Sequence, residues 1–244
     1  MMNTDLTDAA PLDEQDCPEG HYSPDSPCFG KAAGRPRAAD KAARREALLH
    51  TAGQLFLEKG YSKVSLEMIA REAHVAVRTI YVKFGGKAGL LNAIIANGRE
   101  HYMSGMESME TDPRPMQAVL HDFALRFLEL VSLPTFNHLH RMVVAEARST
   151  PDLAATFFKA GPQLTREELG RFFARPEIKA QLRSDVRIEM VPVFLINCLM
   201  GDYMSRLLFP RDQQMSPEEL RARATEGLDL FLHAVCRQPA DAVR

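Results

Sequence analysis

Residues 65–84 read SLEMIAREAHVAVRTIYVKF, and the fold turns on them. Leu66, Ile69, Ala70 and Ala73 recur at helical spacing behind Ser65, whose hydroxyl suits an N-cap. That stripe stops near Ala73. A second helical stretch starts at Ala76 or Val77 and ends at Phe84, before Gly85-Gly86. Only His74-Val75-Ala76 lies between. Two short helices on so short a joint have the geometry of a helix-turn-helix, in which the first braces the second in the DNA major groove. On an ideal helix Val77, Ile80 and Phe84 face the bracing helix. Arg78 and Val82 then face away, with Thr79, Tyr81 and Lys83 on the flanks. The outward set offers guanidinium, hydroxyl, phenol and ammonium groups, which suit phosphates and base edges.

The chain on either side is helical as well. Leu48, Ala52, Leu55 and Phe56 mark one face of a helix from about 40 to 58, with Asp40 as its expected N-cap and Gly60 as its stop. Lys87 opens a longer helix carrying Leu90, Leu91, Ile94, Ile95 and Tyr102. Beyond Pro113 the spacing predicts helices over 114–132, 135–149, 151–174 with a break at Gly161-Pro162, 188–209 and 217–236. Pro134, Pro151, Pro176 and Pro217 mark boundaries, because proline fits a first helical turn and not an interior. No segment alternates with the period of a strand. The fold class is all-α: an N-terminal three-helix DNA-binding domain and a C-terminal helical domain for ligand binding and dimerisation.

Charge divides the 244 residues unevenly. Residues 1–30 hold seven Asp and Glu and no Lys or Arg, whereas residues 31–100 hold thirteen Lys and Arg against six Asp and Glu. The whole chain has a net charge of −2, so the basic module is local. A polyanion would be drawn to it. The expected organisation is a disordered acidic tail and basic arm over 1–39, the DNA-binding domain over 40–86, the effector and dimerisation domain over 87–237, and a tail over 238–244.

Other chemistries find little support. No GxSxG, HExxH or Gly-rich phosphate loop is present, so an enzyme reading has no motif behind it. His138 and His140 stand two apart and do not share a helical face, so no metal site is expected. No cofactor is expected either. Cys198 and Cys236 sit in apolar helical stretches and read as small core residues, while Cys17 and Cys28 fall in the tail. The N-terminus lacks the features of a signal peptide, and the apolar run from Val191 to Met200 is too short to span a bilayer. A cytoplasmic location is expected.

Arg45 to Asn97 resembles the tetracycline-repressor (TetR) family of bacterial regulators. The resemblance rests on LFLEKGY, SLEMIAREA, the turn with Val75, and TIYVKF followed by Lys87 and Leu90-Leu91, together with the GRPR arm upstream. It implies a homodimeric, ligand-responsive repressor on a palindromic operator. Val77, Arg78 and Thr79 match the opening of the recognition helix. Tyr81 and Lys83 match a phosphate-contacting pair. Ser65 matches a phosphate-bonding hydroxyl, and Lys87 the lysine at the start of the fourth helix. His74 stands where glycine is usual, Ala76 where a capping serine or threonine is usual, and Gly85-Gly86 is expected to loosen the link to the next helix. The stretch HRMVVAEARSTPDLAATFFKAGP resembles one subgroup of the family's C-terminal domains.

A mostly apolar small-molecule effector is expected. Candidate pocket residues are Met106, Phe123, Phe127, Met142 and Asn197, with Met103 and Met109 on the same three-residue spacing as Met106. Arg141 and Glu146 are either pocket polar groups or a structural pair. Dimerisation is expected through 188–209 and 217–236, where Phe194, Leu195, Leu199, Leu207, Leu208, Leu228, Leu230, Phe231 and Leu232 put apolar groups on more than one face. The alternative is a helical ligand-binding or interaction protein without operator binding.

Overall fold

The computed structural model describes residues 38–103, 109–209 and 215–237, and these residues are mostly helical. Helix α1 spans Ala38–Lys59, α2 Leu66–Glu72, α3 Val77–Phe84 and α4 Lys87–Met103. Then come α5 (Met116–Ser132), α6 (Pro134–Glu146), α7 (Pro151–Phe158), α8 (Leu164–Ala174), α9 (Pro176–Lys179), α10 (Val191–Met200), α11 (Tyr203–Leu207) and α12 (Pro217–Val235). Among the described residues there is no strand, only an isolated bridge between Leu182 and Cys236. The all-α class holds. The expectations for the tails, for Cys17 and Cys28, and for Met106 fall outside the described residues, as does the side chain of Leu207.

Four details differ from the sequence reading. Helix α1 begins at Ala38, so Asp40 lies inside its first turn and favours the helix dipole there instead of capping it. Gly161-Pro162 does not break the chain. A π-helical turn over Lys159–Gln163 carries Pro162 and joins α7 to α8, since the wider turn accommodates a residue with no N–H to give. The expected helix 188–209 is instead a 3₁₀ turn, α10 and α11, separated by Gly201 at φ 48° and ψ −127°. Helix α6 stops at Glu146, three residues early, and the carbonyl of Glu146 accepts from Ser149 and Thr150 N–H at 3.1 and 2.8 Å.

Two hydrophobic clusters organise the helices. One joins α5, α8, α10 and α12 around Leu120, Leu128, Leu169, Phe172, Phe173, Leu195 and Phe231. Cys198 and Cys236 pack half-buried against it as free thiols, and burial pushes both thiols up, away from reactivity. The other centres on Phe56, Ile69, Ile80, Leu90 and Leu91, and it extends into Met142 and Val143 of α6 and Leu153 and Phe157 of α7. The helix-turn-helix therefore shares its core with the body behind it.

The turn between α2 and α3 carries strain. His74 sits at φ 52°, in the left-handed region that glycine adopts freely and an L-residue adopts only at a cost. Ala76 takes the extended N-cap conformation but has no side-chain acceptor for the helix. Replacing His74 by glycine is expected to raise stability by up to ~1 kcal/mol. Ala76→Ser should add about 1 kcal/mol through a restored cap. Urea midpoints measure both, and an unchanged or lower midpoint for His74→Gly would show the turn unstrained.

Candidate DNA-binding face and effector cavity

Helix α3 is held from one side only. Ile80 is fully buried and Val77 and Phe84 are half-buried against the helices behind. Arg78, Tyr81, Val82 and Lys83 are exposed, and Thr79 is half-exposed beside them. Val82 is 76% exposed and Tyr81 55%, high values for apolar bodies that nothing in the described chain covers. Gly85 ends α3 in the left-handed conformation, its N–H donating to the Tyr81 carbonyl at 2.8 Å, and Gly86 follows at φ 123°. The two glycines thus form the tight corner into α4 and do not loosen it.

The two remaining expected DNA contacts are engaged within the protein. Ser65 caps α2, its hydroxyl oxygen accepting from Met68 N–H at 3.2 Å. Glu67 is held below the usual carboxylate range by its own backbone N–H and then by the Ser65 hydroxyl. Lys87, at the N-terminus of α4, places Nζ 4.2 Å from the centre of the Tyr61 ring. Burial lowers its pKa, against the opposing charge of Glu146.

Glu146 is the joint between body and helix-turn-helix. From the C-terminus of α6 its carboxylate accepts from Tyr61 N–H at 2.9 Å and Ser62 N–H at 2.8 Å, and from the Ser62 hydroxyl. Both amides lie in the α1–α2 turn. Gly60 opens that turn at φ 85°, and a Cβ there would stand 2.9 Å from Glu146 Oε1. A side chain at position 60 would push the carboxylate aside and would have to adopt the left-handed backbone conformation as well. Burial pushes the Glu146 pKa up, but the bonds from Ser62 and Tyr61, with Lys87 nearby, bring it below the ordinary value.

Behind this joint lies a cavity of about 280 Å³. Phe56 and Leu57 of α1, Ile94, Ile95 and Arg99 of α4, Phe127 and Val131 of α5, and Phe136, Leu139 and His140 of α6 line it. Phe157, the π-turn residues Gly161 and Pro162, and Ile196, Met200 and Met204 complete the wall. Its surface is apolar almost throughout, in the manner of small-molecule sites.

Of the expected pocket residues, Phe127 lies on this wall. Phe123 stacks on it from behind, with centroids 5.6 Å apart, and is itself buried in the main core. Met142 is buried in the cluster that holds the helix-turn-helix and does not line the cavity. Asn197 is exposed on α10, three residues from exposed Phe194, and points away from the cavity. Met103 and Met109 pack half-buried against the main core. Glu146 pairs with the α1–α2 turn and does not line the cavity. Arg99 and His140 were missed as cavity groups. Phe136, Leu139 and His140, at i, i+3 and i+4, form a helical face that the sequence already carries.

Sequence models of known families match both halves. Residues 48–94 match the bacterial regulatory proteins of the tetR family, and residues 118–235 match the C-terminal domain of AefR-like transcriptional repressors. The chain belongs to the TetR family. No curated protein sequence matches it significantly. Among solved TetR-family structures, a transcriptional regulator from Agrobacterium tumefaciens is similar at 20% identity and a TM-score of 0.62, over 82% of this chain and 97% of that one. The flavonoid-responsive regulator FrrA is similar at 23% identity and 0.61, over 81% and 99%. NalD of Pseudomonas aeruginosa, the secondary repressor of the MexAB-OprM multidrug efflux pump, is similar at 25% identity and 0.53, over 82% and 99%. In TetR terms α3 is the recognition helix and α4 the element joining it to the ligand-binding body. No helix among the described residues is long and apolar enough to cross a membrane.

Proposed function

We propose that this TetR-family chain is a cytoplasmic transcriptional repressor that binds a palindromic operator as a homodimer and leaves it when a small, mostly apolar effector fills the cavity. The observation that carries the reading is the position of α4. Only two residues separate it from the end of the recognition helix, and it supplies Leu91, Ile94, Ile95, Gly98 and Arg99 to the cavity wall. A ligand that prefers one position of α4 shifts the recognition helix with it, and only such a preference can move the equilibrium.

Val77, Arg78 and Thr79 are assigned to bases and nearby phosphates, and Ser65, Tyr81, Lys83 and Lys87 to the phosphate backbone. For Lys87 the N-terminus of α4 adds free amides and a favourable dipole. The dimer forms on the outer face of α10 and α12, where Phe194 is 42% and Leu230 63% exposed. NalD and FrrA, a repressor of an efflux pump and a flavonoid-responsive regulator by their descriptions, are relatives in keeping with this reading.

The test is a thermal-shift screen of small molecules on the full chain, followed by release from DNA carrying the chain's own upstream region. Apolar compounds should raise the midpoint and release the DNA. Action confined to ions, thiol oxidants or phosphorylated metabolites would contradict the apolar-effector reading.

A further inference from the structure

Val82 is 76% exposed, more than any other large apolar side chain among the described residues. It is neither a core residue nor a group that could bond a phosphate. Its position on α3 is specific. Fully buried Ile80 marks the inner side of the helix. At about 100° per residue, Arg78 and Val82 each lie about 160° from Ile80 and about 40° from one another. The two therefore form the outermost ridge of α3, with Thr79 on one flank and Tyr81 on the other. Val82 stands one turn beyond Arg78, about 6 Å along the axis, which is close to two base-pair steps. A helix that brings Arg78 to base edges brings Val82 to the same groove floor.

An isopropyl group has nothing to donate or accept. Its chemical complement on the major-groove floor is the C5-methyl of thymine. Both groups are better placed against each other than against water. Valine is also a weaker helix former than alanine, lysine or glutamate, and at this exposure it gains little packing within the described chain to offset that. The helix, VRTIYVKF, holds an Arg and a Lys and no Asp or Glu. The surroundings of Val82 thus suit a polyanion, not an apolar protein face.

We propose that Val82 is a specificity-determining residue that reads a thymine methyl in each half-site, about two base pairs from the base read by Arg78. This rests on α3 being the recognition helix of an operator-binding dimer. Anisotropy titrations of the full chain test it, on its own upstream DNA amplified with either dTTP or dUTP. Uracil keeps every hydrogen-bonding group of thymine and loses only the methyl. The unmodified chain should bind the thymine duplex about fourfold more tightly per half-site, and about tenfold or more for the pair. In Val82→Ala, at an exposed position and with a better helix former, that preference should fall to within about threefold. Any effect of uracil on duplex shape is common to both proteins and cancels between them. Equal binding of the two duplexes by the unmodified chain, with its preference over scrambled DNA intact, would overturn the proposal and leave the operator reading standing. An undiminished thymine preference in Val82→Ala would overturn it too, and would move the methyl contact to Thr79 or Tyr81. No preference for the upstream DNA over scrambled DNA would overturn both the proposal and the operator reading beneath it.

Discussion

Replacing Glu146 with alanine is expected to cost about 1.5–3 kcal/mol and to loosen the DNA-binding turn from the body. The residue sits outside both the DNA face and the cavity, yet it holds two backbone amides of the α1–α2 turn and the Ser62 hydroxyl. Tyr61 is buried, so its amide loses its acceptor with little access to water, whereas Ser62 is exposed and recovers water. That difference keeps the cost below the sum of three charged bonds. Lys87 loses its nearby counter-charge in the same variant. Glu146→Gln should recover part of the loss, since its amide oxygen can accept from one N–H while its NH₂ faces the other donor.

The pH dependence has a definite sign. The folded pKa of Glu146 lies below its unfolded value, so its contribution is complete above the unfolded carboxylate value of about 4.3 and disappears as pH falls through the folded pKa. Urea unfolding of the chain and of Glu146→Ala from pH 7 downward should therefore show a gap that is constant to about pH 5 and then narrows. A gap independent of pH would mean that side-chain packing, and not the carboxylate, makes the joint.

The second large effect belongs to Arg78. It is exposed on the first turn of α3, on the side opposite fully buried Ile80, and its guanidinium fork can pair with guanine O6 and N7. Arg78→Ala should cost about 1–3 kcal/mol on the preferred operator and relax the preference at one base position per half-site. Lys87→Ala should instead weaken all sequences alike and lower the salt slope by about one per half-site contact. Affinities for operator and scrambled DNA over a salt series separate the two. If Arg78→Ala weakened both DNAs equally, Arg78 would be a phosphate contact, and specificity would rest on Val77, Thr79 or DNA shape.

The helix-turn-helix was legible because its signals are local. Ser65, the Ile69 and Ile80 stripes and the Gly85 stop each act within a turn or two, and the structure places each as the periodicity implies. The cavity was less so, because its wall comes from helices far apart in sequence. Periodicity marks Phe123, Phe127 and Met142 alike as inward-facing. Only the packing of α5 and α6 decides that Phe127 meets a void, Phe123 meets core and Met142 meets the DNA-binding cluster. Asn197 misled for a related reason: a polar residue in an apolar run signals either a ligand or an outer face, and here α10 turns it outward. Glu146 was visible only as an open choice, since its partners lie 85 and 84 residues away in a turn whose shape depends on Gly60.

Fluorescence anisotropy of the full chain on its own upstream DNA, against a scrambled duplex of the same length near physiological salt, is the most direct test of sequence-specific operator binding. The expected result is a preference of about a thousandfold or more for the upstream DNA, saturating at two chains per palindromic site. Equal affinity for the two duplexes, or binding to neither, would contradict it.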